Sequence, residues 1–330
     1  MISCKERGSA AAFEVMSRFV PTIMLGLALA MTMAMSWSLP AVAGSDGDGD
    51  RQKGLAAAKA VPAKELFGSV KEPAPLSPRS IGFYSHGCLA GAVALPVNGP
   101  AWQVMRLSRN RNWAHPALLN LIEKLAKDAR AKDGWPGLLV GDISQPRGGP
   151  MLTGHASHQI GLDADIWLTP MPSHVLTAKE REDMEPQSVV KSRTQIDRSV
   201  WTEAHARLIK RAASYPEVMR IFVHPPIKKA LCDWGLAQPG SHAWLAKVRP
   251  YYNHTYHFHV RIRCPKSSED CKDQPTPEPP DGTGCGAELA YWYSEKPWAK
   301  LPPPGGPKPP VRELMMSALP NECRAILSIK

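Results

Sequence analysis

Tyr256-His257-Phe258-His259-Val260-Arg261-Ile262-Arg263 alternates without a break from His257 onward. Phe258, Val260 and Ile262 fall on one side, and His257, His259, Arg261 and Arg263 fall on the other. A period of two with β-branched and aromatic residues is the pattern of a half-buried strand. Residues i and i+2 of a strand face the same way, so both imidazoles point into one space. His254 lies just upstream. A core gains nothing from adjacent histidines, because each buried ring needs partners for both nitrogens. The face is therefore either a solvated basic surface or a set of rings that hold a metal. The second reading requires ligands from elsewhere in the chain.

Gly154–Leu168 is the other dense stretch. Its end alternates, with Leu162, Ala164 and Ile166 set against Asp163, Asp165 and Trp167. Two carboxylates on one strand face repel each other unless a cation or hydrogen-bond donors lie between them. His158 precedes this strand in a loop that turns at Gly161, so its ring can swing over the face bearing Asp165. Two nitrogens and one carboxylate, here His158, His259 and Asp165, form a set typical of catalytic zinc with an open fourth position. The alternative is a calcium or salt-bridge site on Asp163 and Asp165, but calcium prefers oxygen ligands and histidines crowd both segments. Trp167, on the same side, is a candidate for the wall of a cleft.

Residues 1–43 have the form of an export signal. Lys5, Arg7 and Arg18 precede the apolar run Thr22–Leu39, and Ala41-Val42-Ala43 supplies the small residues of a cleavage site. A retained membrane anchor is the alternative, but the run is short and ends at Pro40. Cleavage removes Cys4 and leaves six of seven cysteines, an even number that in an exported chain argues for disulfides. The leader carries a net charge of +1, so +9 of the formal +10 remains. That charge is scattered and no nucleic-acid motif accompanies it, so an extracellular anionic polymer fits best as partner.

Residues 44–79 are polar and aperiodic and are expected to form a disordered linker. Pro116–Lys132 has helical periodicity with Pro116 in the first turn. Further helices are expected over Trp201–Ser214, Pro226–Asp233, His242–Val248, Ala287–Tyr293 and Arg312–Ile329, and short strands over Gly137–Ile143 and Arg220–Val223. Pro275–Pro280 and Pro302–Pro310 have the composition of extended polyproline segments. About 200 residues from Ser80 to Cys285 suffice for one core. Helices and strands mix without βαβ regularity, which favours an α+β fold.

His158-x6-Asp165 followed far downstream by His257-x-His259 resembles the motif pair of the lysostaphin, D-Ala-D-Ala and Hedgehog-type metallopeptidase superfamily. The wording is closer still to the penicillin-insensitive murein endopeptidases. Gly154–Ile166 and His254–Cys264 both resemble that family's signatures. So do Gln103-Val-Met-Arg106, Arg220-Ile-Phe-Val223, Lys247-Val-Arg-Pro250 and Gly284-Cys-Gly-Ala-Glu-Leu289. The similarity spans Ser80–Leu289, with a weaker match around Cys323. It implies an antiparallel central sheet carrying a zinc site, flanked by helices and stapled by disulfides. A metallopeptidase domain would span 80–289, with a Pro-rich tail, 290–330, tied back by Cys323.

The resemblance further implies hydrolysis of the D-alanyl–meso-diaminopimelyl cross-link of peptidoglycan in the periplasm. One zinc would be held by His158, Asp165 and His259, with His155 as an extra ligand at rest. Disulfides would pair Cys88 with Cys323, Cys232 with Cys285, and Cys264 with Cys271. A second metal is not expected, because Ser192 and Gln195 stand where family members carry ligands. His257 shares a face with His259 and is assigned the general base and later acid. His254 is assigned donation to the developing oxyanion, and Asp163 the orientation of an imidazole. Arg261 and Arg263 are either substrate contacts or structural. The alternatives are a carboxypeptidase or amidase of the same superfamily, and a wall-binding relative without turnover.

Overall fold

The structure, a computed structural model, describes residues 61–300 and 313–329. The expected export signal, the linker as far as residue 60 and the Pro302–Pro310 run lie outside these residues. In chain order the first strands are β1 (Arg79–Phe83), β2 (His86–Ala90), β3 (Val93–Ala94), β4 (Asn98–Gly99), β5 (Trp102–Val104), β6 (Trp113–Ala114) and β7 (Leu138–Val140). β8 (Asp163–Trp167), β9 (Val190–Ser192), β10 (Gln195–Ile196), β11 (Val218–Val223), β12 (Val248–Pro250) and β13 (His257–Ile262) follow. The helices are α1 (Ala63–Ser69), α2 (Pro116–Lys132), α3 (Ala178–Asp183), α4 (Glu203–Ser214), α5 (Pro225–Leu236), α6 (Trp244–Lys247), α7 (Ala287–Tyr293) and α8 (Asn321–Ser328). None of the helices among the described residues is long and apolar enough to cross a membrane.

α2 shows why the periodicity was readable. Pro116 opens it, the His115 side chain accepts from the Ala117 amide at 3.1 Å, and Leu118, Ile122, Leu125 and Ala129 form the buried stripe. The helix near the chain end is shorter than expected. Pro320 precedes it, and only Asn321–Ser328 is α-helical within the expected Arg312–Ile329.

Seven strands form the main sheet in the order β12-β11-β13-β8-β7-β5-β4. The sheet is mixed, which corrects the expectation of an antiparallel one. β11–β13, β13–β8 and β8–β7 are antiparallel, whereas β11–β12 and β5–β7 are parallel. The reason is connectivity. The chain leaves β5 and returns to β7 through α2, and leaves β11 and returns to β12 through α5 and α6. A crossover of that length brings the next strand back in the same direction. Two βαβ units therefore exist where no such regularity was expected.

β13 and β8 are immediate neighbours, with His259 opposite Asp165 and Arg261 opposite Asp163. Their shared apolar face, Phe258, Val260, Ile262, Ala164 and Ile166, joins α2 and α4 in the main core. Burying each large side chain there contributes about 1.5–3 kcal/mol. The other face, for which the alternation left a solvated surface and a set of converging rings both open, is buried as well at His257, His259 and Arg261. The loop between β7 and β8 covers it.

A second, smaller core corrects the linker and the domain edges. Phe67 of α1, Ile81 of β1, Cys88 of β2, and Cys323 and Ile326 of α8 pack together. The described residues from 61 to 79 are thus ordered, and Ala63 and Phe67 are buried. Arg147 ties this core to the loop over the sheet. Its guanidinium donates to the carbonyls of Ile326 at 2.7 Å, Leu327 at 2.9 Å and Glu72 at 3.1 Å. A cation at the end of α8 also suits the helix dipole.

The disulfides are Cys88–Cys323, Cys232–Cys285 and Cys264–Cys271, the pairings that the resemblance implies. Cys88–Cys323 spans 235 residues, and cross-linking a long loop removes much entropy from the unfolded chain. Replacing both cysteines with serine is expected to lower unfolding free energy by about 2–5 kcal/mol. Urea denaturation under non-reducing conditions measures this, and an unchanged midpoint would show that the bridge adds nothing to the small core.

Candidate metal centre

Asp163 and Asp165 lie on the same buried face of β8, and their surroundings differ. Asp163 accepts from His259 Nε2 at 2.9 Å, from Arg261 Nε at 2.7 Å and Nη2 at 3.2 Å, and from the His158 amide at 3.1 Å. Burial alone would raise its pKa, but the Arg261 guanidinium and His259 outweigh that and hold it below the usual range. The same bonds place a proton of His259 on Nε2. Burial opposes a second proton, but Asp163 and Asp165 outweigh it and raise the ring's pKa, so it is in the neutral ring that Nδ1 carries a bare lone pair.

That lone pair is 3.3 Å from Asp165 Oδ1. His158 Nε2 is 3.5 Å from the same oxygen, and His155 Nδ1 is 3.5 Å from Oδ2. His158 donates through Nδ1 to the Ile143 carbonyl at 2.6 Å, so its Nε2 is also bare. His158 Nε2 and Asp165 Oδ1 are both buried with no hydrogen-bond partner. Buried polar atoms are nearly always paired, so two orphans facing each other call for an explanation. Ligand atoms about 2.0–2.1 Å from a tetrahedral ion stand roughly 3.3 Å apart, which matches this spacing. Donor atoms of His155, His158 and Asp165 lie within 4.8 Å of one another and make a group able to hold a metal ion. His259 is not in that trio, yet its Nδ1 is the nitrogen nearest to Asp165.

The loop that carries His155 and His158 is pinned by close packing. Gly148 has φ +64°, and a Cβ there would lie 2.1 Å from the Gln159 carbonyl oxygen. At Gly149, φ +72°, a Cβ would meet the Phe67 ring at 2.2 Å. The small core thus presses directly on the loop over the sheet. His158 itself is left-handed at φ +67°, a conformation costing a non-glycine residue about 1–3 kcal/mol.

His257 lies at the cleft end of the row, its Nε2 3.7 Å from Asp165 Oδ1. Burial pushes its pKa down to about 4, against the pull of Asp165, so it is neutral near pH 7. His254 stands 4.9 Å from His257 between ring centroids. Burial, with the His257 and His259 rings beside it, lowers its pKa to about 3. Its Nδ1 donates to the Tyr252 carbonyl. His224 positions that turn, donating from Nδ1 to the Asn253 carbonyl at 2.7 Å and from its amide to the His254 carbonyl at 3.2 Å.

Arg261 is bound to Asp163 and stacked 4.1 Å over the Tyr84 ring, so it is structural. Arg263 is exposed beyond β13. Ser192 and Gln195 lie exposed on the β9–β10 hairpin. The sequence reading missed Asp142, just after β7. It accepts from His155 Nε2 at 2.9 Å and Arg111 Nη1 at 2.9 Å. Burial raises its pKa, but His155 and Arg111 more than reverse this and keep it ionised. An acid straight after an apolar strand in Leu138-Leu-Val-Gly-Asp142 was the available signal. Trp167, as expected, lines the cleft, together with Tyr256 and His257.

A model of the family described as penicillin-insensitive murein endopeptidase matches residues 80–328. A penicillin-insensitive murein endopeptidase of Haemophilus influenzae is 44% identical over 230 residues, covering 68% of this chain and 77% of that protein. Proteins of the same name from Klebsiella pneumoniae and Yersinia enterocolitica are 41% and 40% identical, with 78% and 83% of this chain covered and 89% and 94% of theirs. Similarity of this extent, across the sheet, both histidine-bearing segments and the ordered region of α8, means that the chain belongs to the penicillin-insensitive murein endopeptidase family.

Proposed function

We propose that the chain is a zinc-dependent DD-endopeptidase that hydrolyses the D-alanyl–meso-diaminopimelyl cross-link of peptidoglycan, exported to the periplasm by residues 1–43. His158 through Nε2, His259 through Nδ1 and Asp165 hold one zinc, with His155 a further donor at rest. The observation that carries this reading is the pair of unpartnered buried atoms, His158 Nε2 and Asp165 Oδ1, with His259 Nδ1 aimed at the same oxygen. Zinc held there supplies Lewis acidity toward the scissile carbonyl and a water of lowered pKa, about 7.

The chain's own groups do the rest. His257, neutral near pH 7 and facing the cleft, accepts a proton from the attacking water and returns it to the leaving amine. His254, with Nδ1–H given to Tyr252, offers only an acceptor while neutral. It donates to a developing oxyanion only once protonated, which modifies the role first assigned to it. Asp163 fixes the tautomer and tilt of His259.

Digestion of purified cross-linked muropeptide dimers, followed by mass analysis, tests the reaction. Cleavage to monomers that a chelator abolishes and zinc restores is expected. Chelator-resistant cleavage, or release of terminal D-alanine alone, would overturn the assignment. His158→Ala and Asp165→Ala are expected to lose both bound zinc and activity. His257→Ala should lower kcat by about 10²–10⁴-fold with zinc retained; a variant of normal kcat would remove the base. Asp163→Asn should weaken zinc binding by about 10–100-fold, read by competition with a chromogenic chelator.

A further inference from the structure

The cleft beside Asp165 has a volume of about 330 Å³, and Arg106 and Arg109 line it together with Trp167, Tyr256 and His257. Neither arginine has a part in the site as described so far. Arg106 precedes and Arg109 ends the single 3₁₀ turn Leu107–Arg109, which lies between two left-handed residues, Arg106 at φ 55° and Asn110 at φ 52°. All five non-glycine residues of positive φ among the described residues are these two with His158, Asn253 and His254. Backbone strain of about 1–3 kcal/mol per residue persists only where the surroundings enforce it, and it clusters at ligand clamps.

The surroundings here do enforce it. The Ser108 amide and hydroxyl both donate to Glu182, at 2.9 and 2.8 Å. The Asn110 side chain donates to the Lys71 carbonyl at 3.0 Å and accepts from Trp113 Nε1 at 2.7 Å. The Arg106 amide donates to the Arg181 carbonyl at 3.1 Å. These bonds fix the backbone of the turn, so the two side chains leave it from set positions beside the cleft.

Their guanidinium groups are also underused. Arg109 makes one hydrogen bond among the described residues, Nη1 to Asp142 Oδ2 at 3.1 Å, and its side chain is 47% exposed. Arg106 donates through Nη2 to the Met184 carbonyl at 3.0 Å, and the exposed Glu185 carboxylate lies 3.9 Å from the same nitrogen as a long ion pair. The Arg106 Cζ sits 5.6 Å from the Trp167 ring centroid, so Arg106 is the less free of the two. Arg111 and Arg261, nearby, are buried and bound to Asp142 and Asp163. Spare arginine donors in a fixed fork match a carboxylate, which takes two parallel hydrogen bonds.

In the cross-link proposed above, the carbon bearing the scissile nitrogen also bears a free carboxylate. Resting on that reading of the reaction, we infer that Arg109, aided by Arg106, binds this carboxylate of the leaving diaminopimelyl end. The cleft thereby selects an amine partner with an anion on the same carbon. Asp142 holds one edge of Arg109 and leaves the other for the substrate.

Two cross-linked dimers, with carboxylate or carboxamide at that carbon, test this with the metal-loaded full chain. Wild type is expected to favour the carboxylate dimer at least tenfold in kcat/KM, through KM. Arg109→Gln should bring that ratio toward one, and Arg109→Lys should keep part of it, with zinc content and thermal midpoint measured for each. Equal cleavage of both dimers by wild type would overturn the inference without any variant and leave the endopeptidase reading intact. An unchanged ratio in a folded, zinc-loaded Arg109→Gln would also overturn it. Cleavage of neither dimer by wild type would instead sink the endopeptidase reading, and the inference with it.

Discussion

Two carboxylates set two residues apart on one face of a buried strand cannot both stay ionised without positive charge beside each. Asp163 meets this demand inside the protein. Arg261 and His259 from the neighbouring strand, with the His158 amide, saturate its oxygens. Asp165 has only imidazoles around it, at distances too long for good hydrogen bonds. The electrostatic debt of β8 is thus settled at one end and left open at the other. A cation between Asp165 and its ring nitrogens would close it.

The two ends are coupled by tautomers. Because Asp163 accepts from Nε2 of His259 and the Ile143 carbonyl accepts from Nδ1 of His158, each ring in its neutral form has one defined bare nitrogen. Both bare nitrogens face Asp165. Partners of this kind hold a metal ligand's ring in one orientation before the metal arrives. Removing any of them would free a ring to flip or reprotonate, which is why residues without access to the cleft matter to it.

The rest of the fold holds the β7–β8 loop down on the sheet. α1, the β1–β2 hairpin and α8 form a small core that bears on the site through packing and hydrogen bonds to that loop. Phe67 abuts Gly149, and Arg147 reaches from the loop to the last carbonyls of α8. Cys88–Cys323 closes that core. Segments far apart in sequence therefore meet to hold a loop that neither strand could hold alone.

How much of this was readable beforehand depended on the range of the interaction. The alternation in 256–263 and 162–168, the stripe of α2 and the spacing of His158 and Asp165 are local patterns. A local period specifies which side chains share a face whatever lies opposite, so the candidate donors could be named without coordinates. The direction of β5–β7 and β11–β12, the order of residues 61–79 and the fate of Arg261 were not local. Each depends on which strand or core the segment meets after a long excursion. Arg261 shows this best: its sequence position puts it on the metal face, but only pairing β13 with β8 in register sets it against Asp163. Composition and period determined the chemistry on offer. Only tertiary pairing decided which of those charges are spent on one another and which remain for a ligand, because that choice rests on contacts between residues a hundred positions apart.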